Sequence, residues 1–140
     1  MSDQGTLTDE VRAFLREHID SYEQLEILLA LRAGKLVDIP ADVVATELRL
    51  PLAAVSEALE HLKQRKLVEN HHGAQHASFR YAPGGADLAA RVDALAEAYD
   101  QHRLAVMREM SENAIARLRM GAARTFADAF LLGDRKKNDG

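Results

Sequence analysis

The 140-residue sequence has no cysteine, only three prolines and an aromatic content of 5%. A chain without cysteine has no disulfide framework, no thiol nucleophile and no zinc–thiolate site. Because 47% of the residues are hydrophobic and 29% are charged, the composition argues against a mostly disordered chain. The missing cysteines also fit a reducing compartment, and we expect a cytoplasmic protein.

Long hydrophobic runs are missing as well. The longest, residues 27–31, is far shorter than the roughly 20 residues that a membrane helix needs. The first residues, MSDQGTLTDEV, have neither a basic region nor an apolar run, so they predict no secretory signal. We therefore expect no membrane association.

Sequence motifs of catalysis are also missing. The chain has no glycine-rich phosphate loop, no nucleophile elbow and no zinc-protease pattern. Gly84 and Gly85 indicate a linker rather than a phosphate cradle, because no strand and helix flank them in the required order. The sequence therefore predicts a protein that is not an enzyme, with no catalytic residue, no metal and no cofactor.

The stretch from residue 40 to residue 82 has the pattern of a short helix, a corner, a second helix and two strands. The corner, residues 49–51, is too short for anything but a sharp turn, and Pro51 suits the first turn of the helix that follows. After residue 66 the apolar side chains alternate, as in strands that bury one side. The apolar positions are Val43, Val44 and Leu48 in the first helix, Val55, Leu59 and Leu62 in the second, and Leu67, Val68, Phe79 and Tyr81 in the strands.

Helices are predicted on both sides of this stretch. Thr8 and Ser21 can each cap a helix start, and Gly34 is a natural stop. Residues 35–39 alternate and predict a short strand beside the hairpin. After residue 85 a long helix is predicted over residues 87–110, followed by a break at 111–113, a second stop at Gly121 and a short terminal helix. The apolar side chains of that long helix form a stripe along one face, which consists of Leu88, Val92, Leu95, Tyr99, Val106 and Met110.

A helix-turn-helix followed by a hairpin is the plan of a winged helix-turn-helix domain. Over residues 21–108 the sequence resembles bacterial transcriptional regulators of the MarR/PadR type, in its apolar spacings rather than in a signature motif. The segment Phe-Ala-Asp-Ala-Phe at residues 126–130, with basic residues after it, is similar to the ending of small bacterial winged-helix proteins. We expect a mainly α fold with a small β-hairpin, in which residues 1–82 form the winged helix-turn-helix and 83–140 a helical dimerisation or interaction arm.

The resemblance implies a DNA-binding transcriptional regulator. The second helix of the motif would lie in the major groove, where Ser56 and Gln64 contact base edges and Lys63 a phosphate. Glu57 and Glu60 oppose this reading, because each would meet the negative potential of DNA. The full set of DNA-binding candidates is Ser56, His61, Lys63, Gln64, His72, His76 and Arg80, with Arg80 and the hairpin histidines as backbone contacts.

The hairpin loop carries three of the six histidines, and their role has several readings. They can act as pH-dependent phosphate contacts, as ligands of a divalent metal, or as hydrogen-bonding groups for bases or a protein. They can also form an exposed polar tip without a ligand. Because no fixed second shell is visible around Gly73, we predict no metal site here.

The long helix predicts a partner in the form of a second copy of the chain. Its stripe, including Leu88, Val92, Leu95, Tyr99 and Val106, exceeds what one domain needs and predicts a two-fold homodimer. The alternative is that this helix packs on the first helix of its own chain.

A protein-binding adaptor is the competing function. Residues 1–82 carry nine Lys or Arg against thirteen Asp or Glu, whereas a strong DNA binder is usually basic. Phe126 and Phe130 lie four residues apart, so both rings emerge on one side of a helix and can anchor a partner protein. Their alternative is packing within the chain or within a dimer.

Overall fold

A computed structural model describes residues 7–34, 38–72 and 77–139, without the side chains of residues 72 and 132–139. These residues form six helices and one antiparallel hairpin. The elements are α1 (Asp9–His18), α2 (Tyr22–Arg32), α3 (Ala41–Leu48), α4 (Leu52–Gln64), β1 (Val68–His72), β2 (Ala77–Tyr81), α5 (Ala86–Gln101) and α6 (Arg103–Asp139). The predicted fold class, mainly helical with a small hairpin, is confirmed.

The first two helices begin at the predicted caps. The Thr8 hydroxyl accepts a hydrogen bond from the Val11 N–H at 3.2 Å, and the Ser21 hydroxyl accepts one from the Gln24 N–H at 3.2 Å. The Gln24 side chain in turn accepts the Asp20 N–H at 2.7 Å. Helix α2 therefore starts with a variant of the capping box in which the returning bond reaches one residue further back.

Helix α2 lies in the middle of the fold and is apolar on most of its circumference. Leu25, Ile27, Leu28 and Leu31 are all fully buried, and Gly34, with φ of 77°, adopts the left-handed conformation just after the helix ends. A helix that is apolar on all sides must be surrounded by other elements, as the sequence predicts.

The helix-turn-helix has a tight left-handed corner. Helix α3 ends at Arg49, whose φ is 57°, and the N–H of Leu50 reaches back to the Ala45 carbonyl at 3.0 Å. Pro51 occupies the N-cap of α4, where its missing N–H leaves no donor unsatisfied. The observed corner therefore agrees with the predicted corner, residues 49–51, to within one residue.

The buried faces of α3 and α4 are largely as predicted, with one exception. Helix α4 buries Val55, Ala58, Leu59 and Leu62. In α3 the prediction for Val43 was wrong, because its side chain is 38% exposed and the helix buries Val44 and Ala45 instead. With about 100° between neighbouring residues on a helix, the inward arc of this short helix is centred on Val44 and Ala45 and leaves Val43 at its edge.

The hairpin pairs Val68 with Tyr81 and Asn70 with Phe79 in antiparallel register. Ile39 adds a bridge to Phe79, donating at 3.3 Å and accepting at 3.0 Å. Ile39 belongs to the strand predicted for residues 35–39, whose residues 35–37 lie outside the described part. The hairpin is thereby tied to the chain that leads into α3.

The helical dihedrals after the hairpin are interrupted at His102, with φ −136° and ψ 52°. The predicted break at residues 111–113 and the predicted stop at Gly121 were wrong, because α6 runs through both. A serine or glycine inside a helix costs about 1 kcal/mol or less, which does not by itself end it. The signal for the true boundary was the polar pair His102–Arg103, which interrupts the apolar stripe.

The chain divides into two compact units, Met1–Met110 and Ser111–Gly140. Unit 1 contains α1 to α5, the hairpin and the start of α6, and α5 packs against α1 within it. Unit 2 is the remainder of α6, whose described side chains from residue 115 to residue 131 are all exposed. No helix in the described ranges combines the length and the apolar character that crossing a bilayer requires. The functional division at residue 82 stays a prediction.

Candidate nucleic-acid interface

The outward face of α4 is the candidate reading surface. Ser56, Glu57, Glu60, Lys63 and Gln64 are all exposed, as the helical spacing predicts once the apolar positions face the core. The face therefore presents two neutral hydrogen-bonding groups, one cation and two carboxylates. The chemistry suits base edges through Ser56 and Gln64 and one phosphate through Lys63.

His61 lies apart from this set. Its Nε2 atom is 2.8 Å from the carbonyl oxygen of His18, and its Nδ1 atom is 3.8 Å from a carboxylate oxygen of Asp20. Since a carbonyl can only accept, Nε2 carries the proton and donates it. The half-buried imidazole therefore ties α4 to the end of α1. Its assignment to the DNA-facing set stays a prediction. No local pattern signals a bond to a backbone atom 43 residues away.

His18 is a boundary residue, as expected from its place on the apolar face of α1. Its ring lies 4.8 Å from the ring of Phe14, centroid to centroid. Burial, followed by the charge of Arg91, lowers the pKa of His18 below its ordinary value of 6.5. The neutral imidazole is thus the form that the folded unit favours.

An acidic cleft flanks the candidate reading surface. It lies between the start of α2 and α4. Asp20 and Glu23 line one wall, and Glu57 and Glu60 line the other. Four carboxylates on one cleft create a negative potential beside α4, which opposes the approach of a phosphate backbone.

The hairpin contributes one paired cation. Arg80 Nη2 lies 3.3 Å from Glu69 Oε2 across the strands, and both side chains are more than half exposed. An exposed pair of this kind is worth at most about 1 kcal/mol, so a phosphate can displace the glutamate. Of the other two hairpin candidates, the side chain of His72 and the whole of His76 lie outside the described part. Among the described residues no group of three metal-binding side chains comes together.

The predicted dimer stripe of α5 and the start of α6 forms part of the core. Val92, Leu95 and Val106 are fully buried within the single chain, and Leu88 and Tyr99 are half-buried. The three buried residues pack inside the chain, whereas Leu88 and Tyr99 keep part of their surface open. The assignment of this stripe as a dimer contact stays a prediction. The alternative, packing on the first helix of the same chain, is what the structure has. The predicted stripe does carry many apolar residues, but other elements of the same chain cover most of them.

Phe126 and Phe130 emerge together on α6, as their spacing predicts. Their ring centroids are 6.5 Å apart with an interplanar angle of 22°. The rings are 74% and 64% exposed, so packing within the described part of the chain does not account for them.

Comparison with known proteins finds no matching family model and no matching curated protein. The solved structures that resemble the chain include two of MepR from Staphylococcus aureus. The MepR–DNA complex of Staphylococcus aureus matches with a TM-score of 0.52 and 17% identity, covering 86% of each chain. MepR alone, described as a transcription regulator of the multidrug efflux pump MepA, matches with a TM-score of 0.51 and 17% identity, covering 86% of this chain and 87% of MepR.

The chain has a winged helix-turn-helix fold. The predicted resemblance to winged-helix regulators is therefore confirmed at the level of the fold. In the terms of that fold α4 is the second helix of the helix-turn-helix and the β1–β2 hairpin is the wing.

The sequence did not predict the charged contacts between distant parts of unit 1. Arg32 is 3.0 Å from Asp93, joining α2 to α5, and Arg91 is 3.2 Å from Glu17, joining α5 to α1. Arg91 also lies over the ring of Phe14, 5.4 Å from its centroid. These partners are far apart in sequence, and no local pattern pairs them.

A second cluster forms around Tyr22, beside the helix boundary at His102. Tyr22 donates to Glu26 at 2.6 Å. This bond, followed by the interaction with Tyr99 and by burial, raises the pKa of Tyr22 to about 12. Arg103 lies over the ring of Tyr99, 5.0 Å from its centroid. The contacts place the first residue of α6 against α5, on the side where α2 begins.

Proposed function

We propose that this protein is a DNA-binding transcriptional regulator that acts as a homodimer. The observation that carries the proposal is the exposed polar face of α4 in a winged helix-turn-helix fold, beside a hairpin that bears Arg80. MepR, which shares the fold, is described in complex with an oligodeoxyribonucleotide, and this supports the same use of α4 here. No enzymatic activity is part of the proposal.

Each candidate takes a defined contact in this proposal. Ser56 and Gln64 hydrogen-bond to base edges in the major groove, and Lys63 binds a phosphate. Arg80 leaves Glu69 for a phosphate, and His72 and His76 are further backbone contacts. Lys63 and Arg80 together give about four phosphate contacts per dimer, which corresponds to a slope of about −3.6 in log affinity against log salt.

The proposal is tested by gel shift with genomic fragments at two salt concentrations. Lys63→Ala and Arg80→Ala should weaken binding to operator and random DNA alike, and reduce the salt slope by about one for each phosphate that is no longer bound. Ser56→Ala should instead reduce the preference for operator over random DNA. Arg16→Ala removes an exposed cation from α1 and is the matched control, which should bind normally.

Two results would contradict the assignment. Unchanged affinity of the Arg80 variant for both kinds of DNA would remove Arg80 from the interface. No shift of any genomic fragment at either salt concentration would remove the DNA-binding function itself.

The acidic cleft beside α4 favours a second candidate, a winged-helix adaptor that binds protein. In this case Phe126 and Phe130 dock as anchors in the groove of a partner. Replacing both by alanine should abolish co-purification of that partner while leaving the helical content unchanged. Loss of the fold would instead assign the rings a structural role.

A further inference from the structure

The distal part of α6 carries an apolar stripe that is exposed in the single chain. Leu118 and Phe126 are 73% and 74% exposed, and Ile115 is 48% exposed. Helices of this kind are only marginally stable in water without packing, and a contiguous exposed apolar patch indicates an interaction site. The stripe therefore calls for a covering surface that the described residues of unit 2 do not supply.

The stripe has a symmetric spacing. Ile115 and Leu118 stand seven and four residues before Ala122, and Phe126 and Ala129 stand four and seven residues after it. At about 100° per residue these five positions fall within about 80° of one another on the helix. The spacings are the same on both sides of Ala122. A two-fold axis through Ala122 therefore places each of the five positions opposite one of the five positions of an antiparallel second copy.

We infer that the occupant is a second copy of this chain, with the two α6 helices antiparallel and crossing at Ala122. The inference deepens the proposed function and rests on it, since it names a surface of the homodimer on the exposed part of α6. In this arrangement Leu118 of one copy packs against Phe126 of the other, and Ile115 packs against Ala129. The small side chain of Ala122 lets the two backbones approach at the crossing.

Side-chain volume favours the antiparallel arrangement. It pairs Phe126 with Leu118 and Ala129 with Ile115, so the separation of the helices is the same on both sides of the crossing over the roughly 21 Å from Ile115 to Ala129. A parallel pair would place Phe126 against Phe126 at one level and Ala129 against Ala129 at the next. Uneven separation of that kind leaves voids between the helices.

Charge favours the same arrangement. Arg119 flanks the stripe three residues before Ala122, and Thr125 flanks it three residues after. An antiparallel pair places Arg119 beside Thr125, whereas a parallel pair places Arg119 beside Arg119. Antiparallel helices also oppose their dipoles favourably.

The first test is sedimentation of the full chain over a range of concentrations. The wild type should sediment as a dimer, and Leu118→Ala with Phe126→Ala should raise its dissociation constant by at least about tenfold. The matched control replaces Met120 and Leu131, which are 63% and 60% exposed but lie on the opposite side of the helix. Alanine at both of these positions should leave the dissociation constant within about threefold.

A monomeric wild type at every concentration would overturn the inference, and so would a control variant that dissociates as readily as the stripe variant. Circular dichroism should show that unit 1 unfolds at the same temperature in both variants as in the wild type, because all four replaced side chains are exposed residues of unit 2.

The second test uses the absence of native cysteine. Arg119→Cys and Thr125→Cys, carried on chains of different length, are mixed and treated with a short thiol cross-linker. The antiparallel dimer should give cross-links between the two different chains. Cross-links only between two Arg119→Cys chains would overturn the antiparallel orientation.

Gel shifts on the same proteins separate this inference from the function on which it rests. A wild type that stays monomeric and still shifts DNA would overturn the α6 contact and leave DNA binding standing. A cross-linked antiparallel dimer that shifts no DNA would overturn the function and leave the α6 contact standing.

Discussion

The two units of this chain are both helical, but their helices have different sources of stability. In unit 1 Phe14, Leu28, Leu59 and Leu95 are fully buried against other elements. Each such side chain contributes about 1.5–3 kcal/mol by leaving water. In unit 2 the described side chains from residue 115 to residue 131 are all exposed, so the helix has only its local propensity and whatever binds to it. Packing against other elements therefore stabilises the helices of unit 1. The helix of unit 2 has no such packing among its own described residues.

The largest expected difference between the units comes from side-chain truncation. Leu28→Ala in the centre of α2 should lower the free energy of unfolding by about 2–5 kcal/mol, because it removes buried methyl groups and leaves a cavity. Met120→Ala, off the stripe of α6, should change it by less than about 0.5 kcal/mol. Urea denaturation followed by circular dichroism measures both. Equal effects would mean that unit 2 has a core of its own.

Helix caps give a second contrast. Ser21→Ala removes the acceptor for the Gln24 N–H and should cost unit 1 about 1 kcal/mol. Ser111→Ala lies inside a continuous helix, where alanine is the better helix former, and should be neutral or slightly stabilising. Thermal unfolding of the two variants provides the comparison. A destabilised Ser111 variant would restore the predicted helix start at that residue.

Replacing Gly121 by alanine should have a smaller effect on stability, and this effect should be confined to unit 2. A Cβ atom at Gly121 would meet no other atom within 4 Å. Gly121→Ala should therefore stabilise α6 by up to about 1 kcal/mol through backbone entropy alone. Far-ultraviolet circular dichroism should show higher helical content on heating, with the unfolding of unit 1 unchanged. Reduced helicity would indicate that the dihedrals of Gly121 are not helical in solution.

The smallest expected effect is a dependence on pH in unit 1. Burial lowers the pKa of His18 from 6.5, so the unfolded chain binds its proton more tightly than the folded one. Stability is therefore full above about pH 7 and falls as the pH drops through 6.5 towards the lower pKa of the folded state. The groups facing His18 are Arg91, Glu17, Arg65 and His61.

The check is the loss of unfolding free energy between about pH 7.5 and about pH 5.5, compared with that of His18→Gln. The variant should lose less than the wild type, because it has no imidazole to protonate at this position. An equal loss would assign the pH dependence to other groups.

Local patterns in the sequence predicted the elements that depend on neighbouring residues. Thr8 and Ser21 cap helices, Gly34 follows the end of α2, and the corner before Pro51 lies where the turn residues indicated. Each of these features rests on hydrogen bonds or dihedral preferences within a few positions of the chain. The apolar spacing of α4 also predicted correctly which of its side chains face the core.

Contacts between distant residues could not be read from local patterns. His61 fits the outward polar pattern of α4, yet it bonds to the backbone of His18. Val92 and Val106 fit a dimer stripe, yet both are fully buried in the core of unit 1. In both cases the sequence specified the kind of side chain but not the surface that it meets.

The amino-acid order was enough to specify a helix-turn-helix with a hairpin, because helical and strand periodicities and capping preferences act over a few residues. Which apolar stripe is interior and which is exposed became known from the packed chain alone. Burial depends on the elements that pack nearby, and a periodic stripe looks the same whether its own chain or another copy covers it. That distinction moved the expected dimer surface from α5 to the distal part of α6.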